Sequence, residues 1–175
     1  DMDGTLLDSQ KRLAPELPEV IAQLREKGVI FCVASGRQYA SLRRDFEAYA
    51  DDLLFLCENG ALVMQRDKRV LIDPVDASFI TRIVTATRAL SGVYPVVCRA
   101  DVALIEKTAS PEFIRNTKMY YPSVEVVDDL TALGQLGDVC KVAFYDEGDA
   151  QTHELPELKK HLEGPLAVIL SGEHW

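Results

Sequence analysis

The feature that most constrains the fold is an unbroken apolar run, residues 29–34, which follows directly on a helical pattern. The helical pattern has Pro15 at its start, Gly28 just past its end, and apolar residues at helical spacing between them: Leu17, Val20, Ile21 and Leu24. A continuous apolar run is typical of a parallel strand, because helices cover both faces of a parallel sheet. A second helix predicted over 40–49 and a second apolar run at 53–57 repeat this order. The sequence therefore predicts an α/β fold with a doubly wound parallel sheet and right-handed crossovers.

The pattern changes after residue 60, and a different unit is predicted beyond Pro74. Residues 61–64 and 70–72 flank a polar stretch and predict a β-hairpin. Beyond Pro74 the patterns predict helices at 77–90, from 111, at 129–136 and at 155–162, and strands at 94–98, 102–106, 124–127, 139–145 and 166–170. This order indicates an α+β unit with an antiparallel sheet. We therefore divide the chain into residues 1–73 and 74–175.

Charge and composition exclude several classes of protein. The net charge is −9 at pH 7, so no basic footprint for nucleic acid or anionic lipid is expected. The longest apolar runs are too short to span a bilayer, and 47% hydrophobic residues is typical of a globular domain. The four cysteines form no C-x-x-C pair, and we expect all four to be buried thiols in a reducing cytoplasm: Cys32, Cys57, Cys98 and Cys140.

Two carboxylates stand at the very start of the sequence, Asp1 and Asp3, with Gly4 directly after them. If Asp1 ends a strand and the chain then turns, both carboxylates face one site at the carboxyl edge of the sheet. Two negative charges so near each other are stabilised by a bound cation, and Mg²⁺ prefers such oxygen ligands. One carboxylate could then attack phosphorus while the other transfers a proton. The alternative is a simple turn, since Asp and Gly are common in turns.

A second polar group, Ser35-Gly36-Arg37, follows the apolar run 29–34 and precedes the second predicted helix. A hydroxyl, backbone N–H groups and a helix N-terminus at that edge of the sheet would bind an anion. The alternative is that Ser35 only caps the helix and Gly36 only makes a turn. The motif Ser35-Gly36-Arg37 follows the acidic motif at a distance of one βα unit, so both would lie at the same edge of the sheet. For this reason the anion site is the preferred interpretation.

With these motifs the sequence resembles the haloacid dehalogenase-like phosphohydrolases, specifically the Cof-type sugar phosphatase branch with an α/β cap. The matching segments are residues 1–7 (DMDGTLL), 33–37 (VASGR) and 58–61 (ENGA). The resemblance implies a Rossmann-like core, incomplete in this chain, made in part by residues 1–73. It also implies that residues 74–175 form an inserted α+β cap domain.

The resemblance also implies roles for individual residues. Asp1 would be the nucleophile and a Mg²⁺ ligand, and Asp3 the general acid/base and a second Mg²⁺ ligand. Ser35 and Gly36 would bind the phosphoryl group. Arg37 and Asn59 would contact the substrate. That substrate would be a small phosphorylated metabolite, in the first place a sugar phosphate. No nucleic acid or membrane is expected as a partner.

The chain departs from the family pattern at both ends. The family has a strand before the nucleophile, and after its cap a lysine and an acidic stretch that complete the metal site. None of these is found here, so we expect the chain to be a fragment of a longer protein. Two alternatives to a phosphatase stay open at this point: a non-catalytic domain that binds phosphometabolites, and a phosphomutase or phosphotransferase.

Overall fold

The computed structural model describes residues 2–132, 137–162, 166–172 and 174–175, with the backbone alone for Asp3 and Gly4. The chain divides into two compact units, Asp1–Asp73 and Pro74–Trp175. Both units mix helices with a four-stranded sheet, so the predicted α/β class is confirmed. Of the helices in the described ranges, none has the length and apolar character needed to cross a membrane.

The first unit opens with a single π-helical turn, Met2–Leu6, and an isolated antiparallel bridge between Leu7 and Leu13. The helices and strands that follow are α1 (Leu17–Glu26), β1 (Phe31–Ala34), α2 (Tyr39–Asp45), β2 (Leu53–Cys57), β3 (Leu62–Gln65) and β4 (Lys68–Ile72). Two 3₁₀ segments, Glu47–Asp52 and Glu58–Gly60, flank β2. The sheet order is β1-β2-β3-β4, with β1 and β2 parallel and the other two pairs antiparallel.

Three predictions for this unit need correction. Strand β1 begins at Phe31 rather than residue 29, and Cys32 is exposed, whereas the other three cysteines are buried as expected. The reason is that side chains alternate along a strand, so only Val33 of this pair enters the core. Helix α2 ends at Asp45 because Phe46 leaves helical geometry (φ −115°) and turns its ring into the core against Phe55.

The second unit contains a four-stranded sheet with helices α3, α4 and α5. Its elements are α3 (Ala77–Arg88), β5 (Val93–Arg99), β6 (Ala103–Glu106), α4 (Pro111–Tyr120), β7 (Val124–Val127), β8 (Val139–Asp146) and α5 (Glu154–Leu162). The strand order is β7-β6-β5-β8. The expectation of a purely antiparallel sheet is wrong, since β6 and β7 are parallel. Helix α4 connects these two strands, and a crossover of that length returns the chain in the same direction.

Alternating side chains of β5 fill two cores, one on each face of this sheet. Val97 packs with Ile80 and Val84 of α3, whereas Val96 packs with Phe113 of α4. Side-chain caps fix where these helices start: Asp76 accepts the Ser78 N–H before α3, and Ser110 accepts the Phe113 N–H before α4. The helix positions in this unit therefore follow directly from apolar periodicity and caps.

Two further predictions for this unit fail where the chain is irregular. Residues 166–170 form no strand in the structure; Leu166 and Val168 pack beside α3 and α5, while Ile169 is exposed. The helix expected over 129–136 is replaced at its start by a turn, in which Asp129 accepts the backbone and hydroxyl protons of Thr131. Residues 133–136 lie outside the described part of the chain.

Candidate active site

The candidate site lies where β1 and β2 end side by side. Because the two strands are parallel and Ala34 pairs with Leu56, the segments that follow them leave the same edge of the sheet. Ser35 extends the ladder by one bond, its N–H donating to the Leu56 carbonyl oxygen at 2.9 Å. The polar segments after both strands are therefore neighbours, which is how open α/β sheets build ligand sites.

The hydroxyl of Ser35 is engaged within its own turn and does not cap a helix. Helix α2 begins at Tyr39, and the residue at its N-cap is the extended, buried Gln38. The alternative role of Ser35 as a helix cap is therefore wrong. Instead its Oγ accepts the N–H of Arg37 at 3.3 Å, a bond that leaves the hydroxyl proton to donate elsewhere.

The segment after β2 has an unusual backbone. Glu58, Asn59 and Gly60 have φ values of 51°, 61° and 94°, so three consecutive residues lie in the left-handed region. Non-glycine residues adopt this region at a cost, and such strain is concentrated at functional sites. Glu58 is also buried, with only 1% of its surface exposed. This backbone brings Glu58 and Asn59 against the Ser35 turn.

Two hydrogen bonds join the segments that follow β1 and β2. The N–H of Glu58 donates to the carbonyl oxygen of Arg37 at 3.2 Å, and the N–H of Asn59 donates to that of Ser35 at 3.4 Å. The structure thus brings together four of the predicted site residues, namely Ser35, Gly36, Arg37 and Asn59.

The guanidinium of Arg37 is held by a residue that the sequence motifs did not indicate. Its Nη1 donates to Oδ2 of Asp45, the last residue of α2, at 3.2 Å. Both side chains are about 30% exposed, so the ion pair is only partly screened by water. The eight-residue separation matches no helical repeat because a turn intervenes, so spacing alone carries no signal for this pair.

Helix α2 is also tied to the β3–β4 turn. The hydroxyl of Tyr39 donates to Oδ1 of Asp67 at 2.7 Å, and Nε of Arg43 approaches the same oxygen at 3.2 Å. Burial, followed by the bond to the carboxylate, raises the pKa of Tyr39, and the Tyr39 and Arg43 bonds lower the pKa of Asp67. These contacts fix the first turn of α2, directly after the Ser35–Arg37 segment.

The acidic pair is only partly described by the structure. Asp1 lies outside the described residues, and the backbone of Asp3 lies in the π-helical turn Met2–Leu6. Single π-turns are rare and often occur at functional sites. An open cleft of about 500 Å³ lies beside this turn, lined by residues 5–8 and 12–15.

The donor set at the start of the chain suits a hard cation. In the part of the chain whose side chains are described, which excludes Asp1 and Asp3, no group of three or more His, Cys, Asp or Glu residues could hold a metal. The donors that the sequence offers at this position are carboxylates at residues 1 and 3 together with the carbonyl of residue 3. Such hard oxygen donors suit Mg²⁺ better than a softer transition metal.

Comparison with known proteins gives a consistent family assignment. A family model described as haloacid dehalogenase-like hydrolase matches residues 1–174. Among curated proteins, the chain is 28% identical over 176 residues to the 5-amino-6-(5-phospho-D-ribitylamino)uracil phosphatase of Escherichia coli. That match covers 99% of this chain but 62% of the relative. The chain thus spans less than two thirds of the length of this relative.

Solved structures share the fold. A structure from Eubacterium rectale matches with a TM-score of 0.81 and 24% identity, over 100% of this chain and 64% of that chain. A sugar phosphatase of the subclass IIB of this superfamily matches with a TM-score of 0.70 and 14% identity, over 93% of this chain and 61% of that chain. At these identities the likeness extends to the fold.

Proposed function

Because the chain belongs to the haloacid dehalogenase-like hydrolase family, we propose that the protein is a Mg²⁺-dependent phosphatase of small phosphorylated metabolites. The reaction is hydrolysis of a phosphoric monoester through an aspartyl-phosphate intermediate. The observation that carries this proposal is the joined pair of segments after β1 and β2, which brings Ser35, Gly36, Arg37 and Asn59 to one sheet edge.

The Ser35–Arg37 turn suits a transferring phosphoryl group. The Oγ of Ser35 already accepts a backbone N–H, so its own proton can donate to a phosphoryl oxygen. Arg37, oriented by Asp45, provides a cation at the same edge. Donors fixed in advance stabilise charge that develops during the reaction without having to reorganise, and such groups are often the largest contribution to catalysis.

The acidic pair supplies the chemical steps in this proposal. The Asp1 carboxylate attacks phosphorus, and the leaving oxygen takes a proton from Asp3. Asp3 then removes a proton from water, which attacks the aspartyl-phosphate, releases inorganic phosphate and restores Asp1. Asp1 and Asp3 would hold Mg²⁺, which when bound offsets the negative charge of phosphate and carboxylates.

We assign residues 74–175 to a cap that selects the leaving group, and residues 1–73 to part of the catalytic core. The separate sheet and apolar cores of the second unit support this division. Sugar phosphates are the proposed substrates. The name of the Escherichia coli relative adds a phosphorylated ribitylaminouracil to the compounds worth testing. Four free thiols suit a cytoplasmic location, which is also proposed.

The test is phosphate release by the purified protein from a panel of sugar phosphates and the ribitylaminouracil phosphate, with Mg²⁺ and again with EDTA. Turnover that requires Mg²⁺ and is abolished by Asp1→Asn, in a variant with an unchanged circular dichroism spectrum, is the expected result. Full activity of Asp1→Asn would refute the assignment of the nucleophile.

Two other outcomes would replace the proposal. Binding of phosphosugars without release of phosphate by the folded protein would indicate a binding domain. Transfer of the phosphoryl group to an added sugar, in preference to water, would indicate a phosphotransferase or phosphomutase.

A further inference from the structure

The side chain of Asn59 fills the space where Gly36 would otherwise carry a side chain. A Cβ built on Gly36 would come well under 3.0 Å from Oδ1 of Asn59. Real Cβ atoms do not approach other atoms so closely. The carboxamide of Asn59 therefore lies directly on the backbone of the Ser35–Arg37 turn.

This contact, and not the backbone conformation, explains why residue 36 is glycine. The described glycines with positive φ are Gly28, Gly60 and Gly92, and Gly36 is not among them. An alanine at position 36 would thus adopt the same backbone without strain. The methyl group of that alanine would instead clash with Asn59, since the three atoms nearest to the built Cβ all belong to the Asn59 side chain.

Asn59 is itself held firmly enough to act as a support. Its φ of 61° is a conformation that Asn tolerates better than most residues, and Gly60 beside it has a φ of 94°. Its N–H donates to the Ser35 carbonyl oxygen, and the preceding N–H of Glu58 donates to that of Arg37. The carboxamide of Asn59 and these two bonds therefore enclose Gly36 from the β2 side.

We propose that Asn59 is a positioning residue: its carboxamide, packed on Gly36, sets the Ser35–Arg37 turn in the geometry that binds the phosphoryl group. This replaces the expectation that Asn59 contacts the substrate. The inference rests on the proposed phosphatase function. The physical reason is that the Ser35 hydroxyl and the Arg37 N–H share one hydrogen bond, so a shift of Gly36 between them reorients both.

A double-mutant cycle tests the contact. We expect Gly36→Ala and Asn59→Gly each to lower kcat by roughly tenfold to a hundredfold, the range for a displacement of about 1 Å at a reacting centre. Glycine at position 59 keeps the left-handed backbone. The double variant should be no worse than Asn59→Gly, because the methyl group introduced at position 36 then occupies the space of the missing carboxamide. Independent losses that multiply would contradict the proposal.

A matched control separates this effect from a loss of activity that any replacement of glycine by alanine would cause. Gly137→Ala makes the same change at an exposed glycine that has no atom within 4 Å of the built Cβ. We expect wild-type kcat and KM for this variant. A loss as large as that of Gly36→Ala would show that the assay reports stability and not position.

The choice of substrate distinguishes positioning from substrate contact. Asn59→Gly should lower kcat by a similar factor for p-nitrophenyl phosphate, acetyl phosphate and a sugar phosphate, because all three share the phosphoryl group. A loss confined to KM for the sugar phosphate would show that Asn59 contacts the leaving group, and would overturn the inference. If Gly36→Ala fails to fold, this comparison of substrates with Asn59→Gly still tests the proposal.

Failure of the proposed function has a different signature. If the wild-type protein releases no phosphate from any substrate, the catalytic part of the inference fails with the proposed function. Amide NMR then examines the contact itself: Gly36→Ala should displace the Ser35 and Arg37 amide resonances, and the added Asn59→Gly should return them. Resonances that stay displaced in the double variant would refute the contact.

Discussion

Arg37 and Asp45 form an ion pair between the turn after β1 and the end of α2, with Nη1 of Arg37 3.2 Å from Oδ2 of Asp45. The carboxylate also lies 3.5 Å from Nε of Arg44, so two guanidinium groups share it. Helix α2 thus directs the cation that the proposed reaction places against the substrate.

Asp45→Asn should therefore weaken substrate binding more than it slows the reaction. We expect KM to rise by roughly three- to tenfold with kcat nearly unchanged, since the loss of a partly exposed charge-assisted bond costs about 1 kcal/mol. Steady-state kinetics on a sugar phosphate measure both constants. Asp52→Asn, which breaks the 2.5 Å pair with Arg25 in the same unit, is the control and should leave both constants unchanged. A fall in kcat alone would argue against this role.

A second prediction concerns the stability of the second unit. Glu106 is 8% exposed and accepts hydrogen bonds from Arg88 and from the N–H of Leu130, while Arg88 also binds Asp129 at 2.5 Å. Arg88→Leu leaves this carboxylate buried beside Asp129 without a cation. We expect the free energy of unfolding in urea to fall by about 2–3 kcal/mol, since leaving the buried carboxylate of Glu106 without its cation is costly.

The control for that measurement is an exposed ion pair. Arg12→Leu removes the partner of Asp8, whose side chain is 42% exposed, and we expect no measurable change in the free energy of unfolding. Equal losses in the two variants would show that Glu106 does not need Arg88.

A third prediction is a pH dependence set by Glu154. Burial, and then the nearby charge of Asp146, raise the pKa of Glu154 to about 7. Asp146 is 1% exposed and also bonds the N–H of Gly148 and, at 2.7 Å, Nδ1 of His153. Between pH 4.5 and 7 the folded protein keeps a proton that the unfolded chain releases, so stability falls as pH rises through this window.

Glu154→Gln should remove that slope. The wild-type Tm is expected to fall by several degrees between pH 5 and pH 7.5, roughly 2–4 °C for each kcal/mol, and the variant should vary less. Glu157→Gln, on the same helix and paired with Lys160, is the control and should retain the wild-type slope. An unchanged slope in Glu154→Gln would place the titrating group elsewhere.

A fourth prediction concerns the two-residue turn between β3 and β4. Arg66 and Asp67 have φ values of 49° and 57°, which suit Asn or Gly better than Arg. Arg66→Asn should raise the free energy of unfolding by about 0.5 kcal/mol, offset in part by the lost 3.3 Å bond to the Asp51 carbonyl oxygen. Urea denaturation measures the change, and a destabilised variant would show that the Asp51 bond outweighs the turn.

The fold followed from the sequence wherever local signals and tertiary packing agree. The strand predicted at 124–127 is observed as Val124–Val127, and Ser110 with Pro111 marks the start of α4. The end of α2 could not be predicted, because Phe46 leaves the helix to reach a core that the local pattern does not reveal.

The candidate site was predictable only as a set of residue types. The motifs indicated Ser35 and Asn59, but the packing of Asn59 on Gly36 and the pairing of Arg37 with Asp45 depend on how two chain segments meet. The left-handed φ of Glu58 likewise has no sequence signal, since Glu rarely adopts it. Interactions between segments distant along the chain needed the structure.

The carboxamide that lies on Gly36 belongs to an Asn-Gly pair, Asn59 and Gly60. Asparagine followed by glycine is prone to lose ammonia through a cyclic imide, one reason why Asn counts as a thermolabile residue. The products, aspartate or isoaspartate, place a negative charge against the Ser35–Arg37 turn, which binds the phosphoryl anion in the proposed reaction. Chemical ageing of the purified protein would therefore act on the very contact that positions Ser35, and preparations should be compared by peptide mass mapping before their rates are compared.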